Sequence, residues 1–222
     1  MKRIPEPEEL MDEAEQALAY AEADFSASNE LFIQLFEQLH PAEFTGQALD
    51  PGCGPADIPI RFARRYPRAK VDALDGAQAM LDLAEKAIEA DGLAQRICLH
   101  CQYLPATRLD KTYDAVLSNS LLHHLNDPQD LWSTILDSTR PGATVLVMDL
   151  MRPESAGQVD ALVVQYASDA PEVLRRDFEA SLYVGRSTGA AGRRIPRWTH
   201  GESGQRPAPG RSGQAGLSNA IH

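Results

Sequence analysis

The sequence predicts an α/β protein: a Rossmann-like, doubly wound, mainly parallel sheet of at least five strands, flanked by helices. Three observations lead there. Short apolar strands alternate with amphipathic helices between about residues 45 and 153, a glycine-containing turn follows the first strand, and the last strand of the series is almost continuously apolar. The 222 residues suffice for one domain with a sizeable core.

The elements follow in order. Glu8 to Ala23 is rich in Ala, Glu and Leu, all good helix formers. Ser28 is a cap for a second helix with Leu31, Phe32, Leu35, Phe36 and Leu39 at helical spacing, closed by Pro41. Gln47 to Asp50 is a strand entering PGCGP, and Asp57 is the expected N-cap of the next helix. Val71 to Leu74 is a second strand ending at Asp75-Gly76. Ala77 to Ala90 is a helix with Met80, Leu81, Ala84 and Ile88 on one face. Ile97 to Leu99 and Tyr113 to Ser118 are further strands. Asp127-Pro128 opens a helix carrying Leu131, Trp132, Ile135 and Leu136, and Ala143 to Asp149 is the apolar fifth strand. Two more helices are expected over Glu154 to Ser168 and Pro171 to Tyr183.

Past Val184 the composition changes. The segment 185–222 holds six Arg and a single acid, Glu202, with many glycines and no apolar period. It is expected to be irregular, either disordered or the product of out-of-frame translation of a GC-rich gene. The organisation read from the sequence is therefore 1–44 helical, 45–153 a Rossmann-like core, 154–184 helical and 185–222 tail. Because the tail is basic, the rest of the chain is more acidic than the total charge of −11. That balance argues against a nucleic-acid partner.

The start of the chain reads as neither a secretory signal nor a membrane span, so a cytoplasmic location without membrane association is expected. Three cysteines, Cys53, Cys98 and Cys101, form no disulfide framework. The Cys98–Cys101 spacing is CxxC, but it closes a strand and no second CxxC exists, so no metal is expected.

The chemistry lies in ALDPGCGPADIPIRFA. Asp50 ends a strand, and Gly52 and Gly54 make the tight turn into a helix. In open α/β sheets ligands bind outside the carboxyl ends of the strands. Asp75 ends the next strand, where a carboxylate typically accepts from ribose hydroxyls. A dinucleotide fingerprint would place its third glycine at position 57; Asp57 stands there instead, and its charge would oppose a pyrophosphate. No phosphate-binding GxxxxGK[ST] loop is present. A ligand with a ribose, positive groups and no phosphate fits, which describes S-adenosyl-L-methionine.

With LDPGCGPAD, ALDGAQAMLDLA, YDAVLSNSLLHHLNDP and PGATVLVMDL in that order, the chain from about Tyr20 to Pro153 resembles the class I S-adenosylmethionine-dependent methyltransferases. It is closest to the small-molecule type, with an N-terminal helical lid. The resemblance implies that Asp50, Gly52, Cys53 and Gly54 line the methionine part of the cofactor. Asp75 would hold the ribose, and Gly76, Ala77 and Met80 would border the adenine. Gln102 would lie at the other adenine edge, and Asn119 and Ser120 near the methionine amine and the methyl group. Tyr20 and Phe25 fall where the lid would cover the cofactor. His123 and His124 are weak candidates for a general base; a structural or pocket-lining role is the simpler reading.

Three departures from the family are visible. Gln102 stands after the third strand where the family often has an acid at the adenine amine, and its amide oxygen can accept instead. Ala56 stands where the family loop usually has glycine; alanine is small and fits there if its dihedrals are ordinary. The antiparallel strand pair that ends the family sheet is expected to be missing, which would leave the fifth strand as an edge that a homodimer could cover. The expected activity is methyl transfer to a small molecule. The alternatives are a protein that binds the cofactor but is catalytically impaired, and, further off, a nucleotide-linked oxidoreductase.

Overall fold

The computed structural model describes residues 11–40, 43–105, 109–150, 153–167, 175 and 193–194. Its elements are α1 (Ala14–Glu22), α2 (Ser26–Leu39), β1 (Gln47–Pro51), α3 (Asp57–Arg65), β2 (Lys70–Asp75), α4 (Gln78–Ala90), β3 (Ile97–Cys101), β4 (Tyr113–Asn119), α5 (Gln129–Ser138), β5 (Thr139–Met148), α6 (Ala156–Ala167) and β6 (Arg193–Arg194). The strand order is β3-β2-β1-β4-β5-β6. The first five strands run parallel, as their crossover connections require. The order reverses between β1 and β4, so the turn after β1 sits at the switch point where such sheets bind ligands.

Helices cover both faces. One core gathers Phe32 and Phe36 of α2, Phe62 and Ala63 of α3, and Leu81, Ala84 and Ile88 of α4 against the sheet. The other gathers Leu131 and Ile135 of α5 with Leu49, Leu74, Val116, Val145 and Val147. Trp132 and Leu136 face outward instead.

The fixing point of the N-terminal helices is aromatic. Phe36 is fully buried, with its ring centroid 4.9 Å from Phe62 and 5.8 Å from both Phe44 and Tyr66, all edge to face. Edge-to-face contacts place the positive ring edge against the negative face, so they add to burial. Ion pairs also join α2 to α3, between Arg65 and Glu37 and between Arg61 and Glu30, but exposed pairs of this kind contribute about 0–1 kcal/mol each. The aromatic cluster therefore decides where α2 lies.

Several expectations need correction. Helix α2 starts at Ser26 with Phe25 as its N-cap, two residues before Ser28, whose hydroxyl instead donates back to the Phe25 carbonyl. Its buried face is Asn29, Phe32, Ile33 and Phe36, and Leu31 is exposed. Asp57 is the first residue of α3, and the N-cap is Ala56. Strand β5 begins at Thr139, before Pro141-Gly142; a register shift between Tyr113 and Ala115 absorbs the irregular start. Beyond residue 184 the sequence offered no strand, yet Arg193 and Arg194 pair antiparallel with Val145 and Thr144 on the β5 edge. A two-residue ladder rests on backbone hydrogen bonds and leaves no side-chain period to read. The helix expected over Pro171 to Tyr183, apart from Arg175, and the rest of the tail lie outside the described residues.

Replacing Phe36 by Ala removes the central ring of the cluster. The expected loss is about 3–5 kcal/mol in denaturant unfolding, with the spread set by how far the site collapses. A loss under about 1 kcal/mol would show that α2 is held by something else.

Candidate functional site

Two acids reach the strand ends for different reasons. Asp50 is carried by the central strand β1 and is 1% exposed. Asp75 ends β2, and its carboxylate organises the loop: Oδ2 accepts from the Gly54 N–H at 2.8 Å and Oδ1 from the Ala77 N–H at 2.9 Å. Each oxygen keeps a lone pair for a further donor. Burial, and then the neighbouring Asp75, push the Asp50 carboxyl well above the usual carboxylate range. Burial also raises Asp75, opposed by the backbone N–H groups of Ala77 and Gly54. Burial, followed by the charges of Asp50 and Asp75, pushes the Cys53 thiol up, so it is not a nucleophile in this setting.

The glycine turn is held from β2. The N–H groups of Gly52 and Cys53 both donate to the Leu74 carbonyl, at 2.7 and 2.9 Å. Gly52 has φ +74°, and a Cβ there would lie 2.7 Å from the Leu121 side chain. Ala56 has φ 69°, so the condition of ordinary dihedrals is not met and the residue is held in left-handed backbone. The chain must reverse here to start α3, and left-handed backbone costs a non-glycine residue about 1–2 kcal/mol. Alanine is the smallest residue that can carry that strain with a side chain.

Two cavities flank the turn. The first, about 350 Å³, opens under the α1–α2 junction and is lined among others by Phe25, Asn29, Asp50, Cys53 and Arg61. The second, about 340 Å³, runs along the ends of β2 and β3, past Asp75, Gly76, Ala77, Met80 and Gln102, to Ser120 and His124. Tyr20, Gly52, Gly54 and Asn119 line both. The structure thus brings all eleven residues proposed for the cofactor, Asp50, Gly52, Cys53, Gly54, Asp75, Gly76, Ala77, Met80, Gln102, Asn119 and Ser120, to one continuous region. Tyr20 and Phe25 stack at 4.9 Å between centroids and form its roof.

Three buried acceptor oxygens in this region, Asp50 Oδ2, Gln102 Oε1 and Asn119 Oδ1, make no hydrogen bond. A buried acceptor without a donor costs about 1–3 kcal/mol. All three are therefore poised for a ligand rich in donors.

The histidines separate. His123 is buried, and its Nδ1 lies 2.7 Å from Asp149 Oδ1. The other oxygen of Asp149 accepts from the backbone N–H groups of Leu122 and His123. His123 is thus tied into the turn after β4, whereas His124 lines the second cavity.

Sequence reasoning missed Asn29. Its amide donates to Asp57 Oδ2 at 2.6 Å, and its carbonyl oxygen accepts from the Asn119 amide at 3.1 Å. It joins the lid, the start of α3 and the end of β4. The available signal was position: Asn29 lies one helical turn before Phe32 and Ile33, and a polar residue on a buried stripe needs partners. Asp57 is also bonded to Arg61 at 2.8 Å, so its charge is partly met within the protein. Asp50 and Asp75, rather than Asp57, are the acids that would repel a phosphate.

Comparison with known proteins agrees with this geometry. Residues 48–142 match the family described as a methyltransferase domain. The ubiquinone/menaquinone biosynthesis C-methyltransferase UbiE of Desulfotalea psychrophila is 31% identical over 108 residues, 49% of this chain and 43% of that relative. The match thus spans less than half the length of the curated relative. Among solved structures, the plantazolicin methyltransferase BamL, in complex with a triazolic desmethylPZN analog and SAH, superposes with TM-score 0.63 at 14% identity, covering 78% of this chain and 62% of that one. The [4+2]-cyclase SpnF superposes with TM-score 0.57 at 20% identity, covering 69% and 64%. Residues 48–142, less than half of this chain, thus match a methyltransferase domain in sequence, and the superpositions show that the fold is shared with solved methyltransferases. No helix among the described residues is long and apolar enough to cross a membrane.

The turn separates two glycine effects. Gly52→Ala meets both a left-handed backbone and a contact that Leu121 must yield. Gly54→Ala meets the backbone term alone, since the nearest atom, on Tyr20, is 4.0 Å away. Denaturant unfolding should show Gly52→Ala as the more destabilised by at least about 1 kcal/mol. Equal losses would mean that Leu121 moves aside freely.

Proposed function

We propose that the chain binds S-adenosyl-L-methionine across the two cavities and transfers its methyl group to a small-molecule acceptor held under the lid. The observation that carries this reading is the set of unpartnered buried acceptors, Asp50 Oδ2, Gln102 Oε1 and Asn119 Oδ1, around a loop with one buried carboxylate, Asp50, and one half-buried, Asp75. Such a lining favours a ligand with an ammonium, an amine and hydroxyls, and disfavours a pyrophosphate. It therefore supports this cofactor over a dinucleotide.

When bound, the cofactor supplies a methyl group on a sulfonium, an already activated leaving group. The residues of the chain would then hold and orient. Asp50 and Asn119 would accept from the amino-acid end, and Asp75 from the ribose hydroxyls through its remaining lone pairs. Ala77 and Met80 offer apolar surface for the adenine, with Gln102 at its amine. Tyr20 and Phe25 exclude water from above. Catalysis of this kind is mainly positioning, which can supply several kcal/mol without a general base. His123 serves the fold, and no side chain of the cavity is assigned as a base.

The acceptor side rests on shape and on relatives. The first cavity is concave, flanked by the rings of Tyr20 and Phe25, and of a size for a small molecule. UbiE is named for ubiquinone/menaquinone biosynthesis, and BamL was solved with a triazolic desmethylPZN analog and SAH.

Calorimetric titration of the full chain with S-adenosylhomocysteine should give one site. Asp75→Asn should weaken it about 10- to 100-fold, the value of hydrogen bonds to a charged acceptor, with circular dichroism unchanged. Tight NADH binding without affinity for S-adenosylhomocysteine would overturn the proposal. Binding without transfer to any acceptor in a methyl-transfer screen would leave the cofactor half standing and remove the catalytic half.

A further inference from the structure

On the sheet face away from the glycine turn, the β2–β3 pairing makes a cluster that neither strand shows alone. Asp72 lies opposite Cys98 in the parallel register, and Leu74 lies opposite His100. Alternation along β3 puts Cys98 and His100 on one face, the face of Asp72. One ligand atom from each of Asp72, Cys98 and His100 lies within 4.8 Å of the others. We propose that these three side chains form a zinc-binding site that ties the edge strand β3 to β2.

The donor set is imidazole nitrogen, thiolate and carboxylate, the combination that zinc takes in tetrahedral sites, with a solvent molecule completing the fourth position. In such a site neighbouring ligand atoms are about 3–4 Å apart. The exposed Cys98 can close the difference by rotating its side chain. His100 Nε2 is buried, lies 3.4 Å from Asp72 Oδ1 and makes no hydrogen bond. The nitrogen thus lies near the carboxylate oxygen with which it would share the ion. The other oxygen, Oδ2, is held at 2.8 Å by the hydroxyl of the buried Tyr113. A hydrogen bond of that kind fixes the orientation of a ligating carboxylate. No helix is present among the described residues between β3 and β4, and the exposed Cys98 leaves an entry at this edge of the sheet.

Lys111 competes. Its ammonium sits 3.0 and 2.9 Å from the two oxygens of Asp72, so a cation must share or displace it. The Lys111 side chain is half exposed and can swing into solvent. As the Zn–S bond forms, the Cys98 thiol gives its proton to solvent. Cys101 takes no part: its sulfur lies 3.8 Å from the Gly76 carbonyl oxygen, toward the other end of the strand. The CxxC spacing is therefore not the metal motif. The ligand missing from the sequence pattern comes from the neighbouring strand.

The test is titration of the full chain with zinc against a chromophoric chelator, with cobalt as a spectroscopic probe. One equivalent should bind, and cobalt should give a thiolate charge-transfer band. Cys98→Ser should abolish the band. Cys98→Ser and His100→Asn should each weaken zinc at least about tenfold, Cys101→Ser should leave it unchanged, and Lys111→Met should tighten it. A wild-type chain with no cobalt–thiolate band, a band lost in Cys101→Ser and kept in Cys98→Ser, or zinc affinity indifferent to both ligand variants would overturn the site. The band is read on the unmodified protein, so a poorly folding variant does not remove the test.

Discussion

The site is organised around an electrostatic debt. Asp50 is buried at the end of the central strand beside Asp75, and neither forms an ion pair with Lys or Arg among the described residues. Burial, and then the charge of the neighbouring Asp75, raise the proton affinity of Asp50. The protein meets part of the cost with backbone: Gly54 and Ala77 donate to Asp75, and that pair of bonds shapes the turn. What it leaves unmet, at Asp50 Oδ2, Gln102 Oε1 and Asn119 Oδ1, faces the cavities. The geometry of the loop follows from this arrangement, and the proposed ligand and the helices over the turn are what would answer the unmet part.

The lid follows from it because an exposed cavity would let water satisfy the same acceptors. Helix α2 is fixed to the body by Phe36 packed against Phe44, Phe62 and Tyr66. That anchor brings Asn29 over Asp57 and Asn119, and brings Tyr20 and Phe25 over the turn. One apolar cluster, far from the chemistry, therefore positions a polar bridge and an aromatic roof close to it. The polar bridge also orients the Asn119 amide, so its free oxygen is a consequence of where α2 packs.

Much of this was legible in the sequence. The strands were readable because parallel, buried strands are continuous apolar runs, and the turn because Gly52 and Gly54 punctuate a strand-to-helix boundary. Asp50 and Asp75 were readable because strand ends place their side chains at the mouth of the sheet. What escaped was long-range or conformational. Asn29 acts through partners 28 and 90 residues away. The left-handed backbone of Ala56 is set by the reversal into α3, not by its own preference. Arg193 and Arg194 pair through backbone, which carries no sequence pattern. The Asp72–Cys98–His100 cluster exists only once β2 and β3 are in register.

The most direct measurement of the central claim is the proton count when S-adenosyl-L-methionine binds. Burial holds Asp50 protonated to higher pH in the free protein, and a cationic ammonium beside it favours the ionised form. Binding must then release a proton, and affinity must rise with pH until Asp50 is already ionised in the free protein. Calorimetry in buffers of different ionisation enthalpy reads that proton directly. The account predicts net release that disappears in Asp50→Asn. Binding with no proton release, or with release unchanged in that variant, would contradict it.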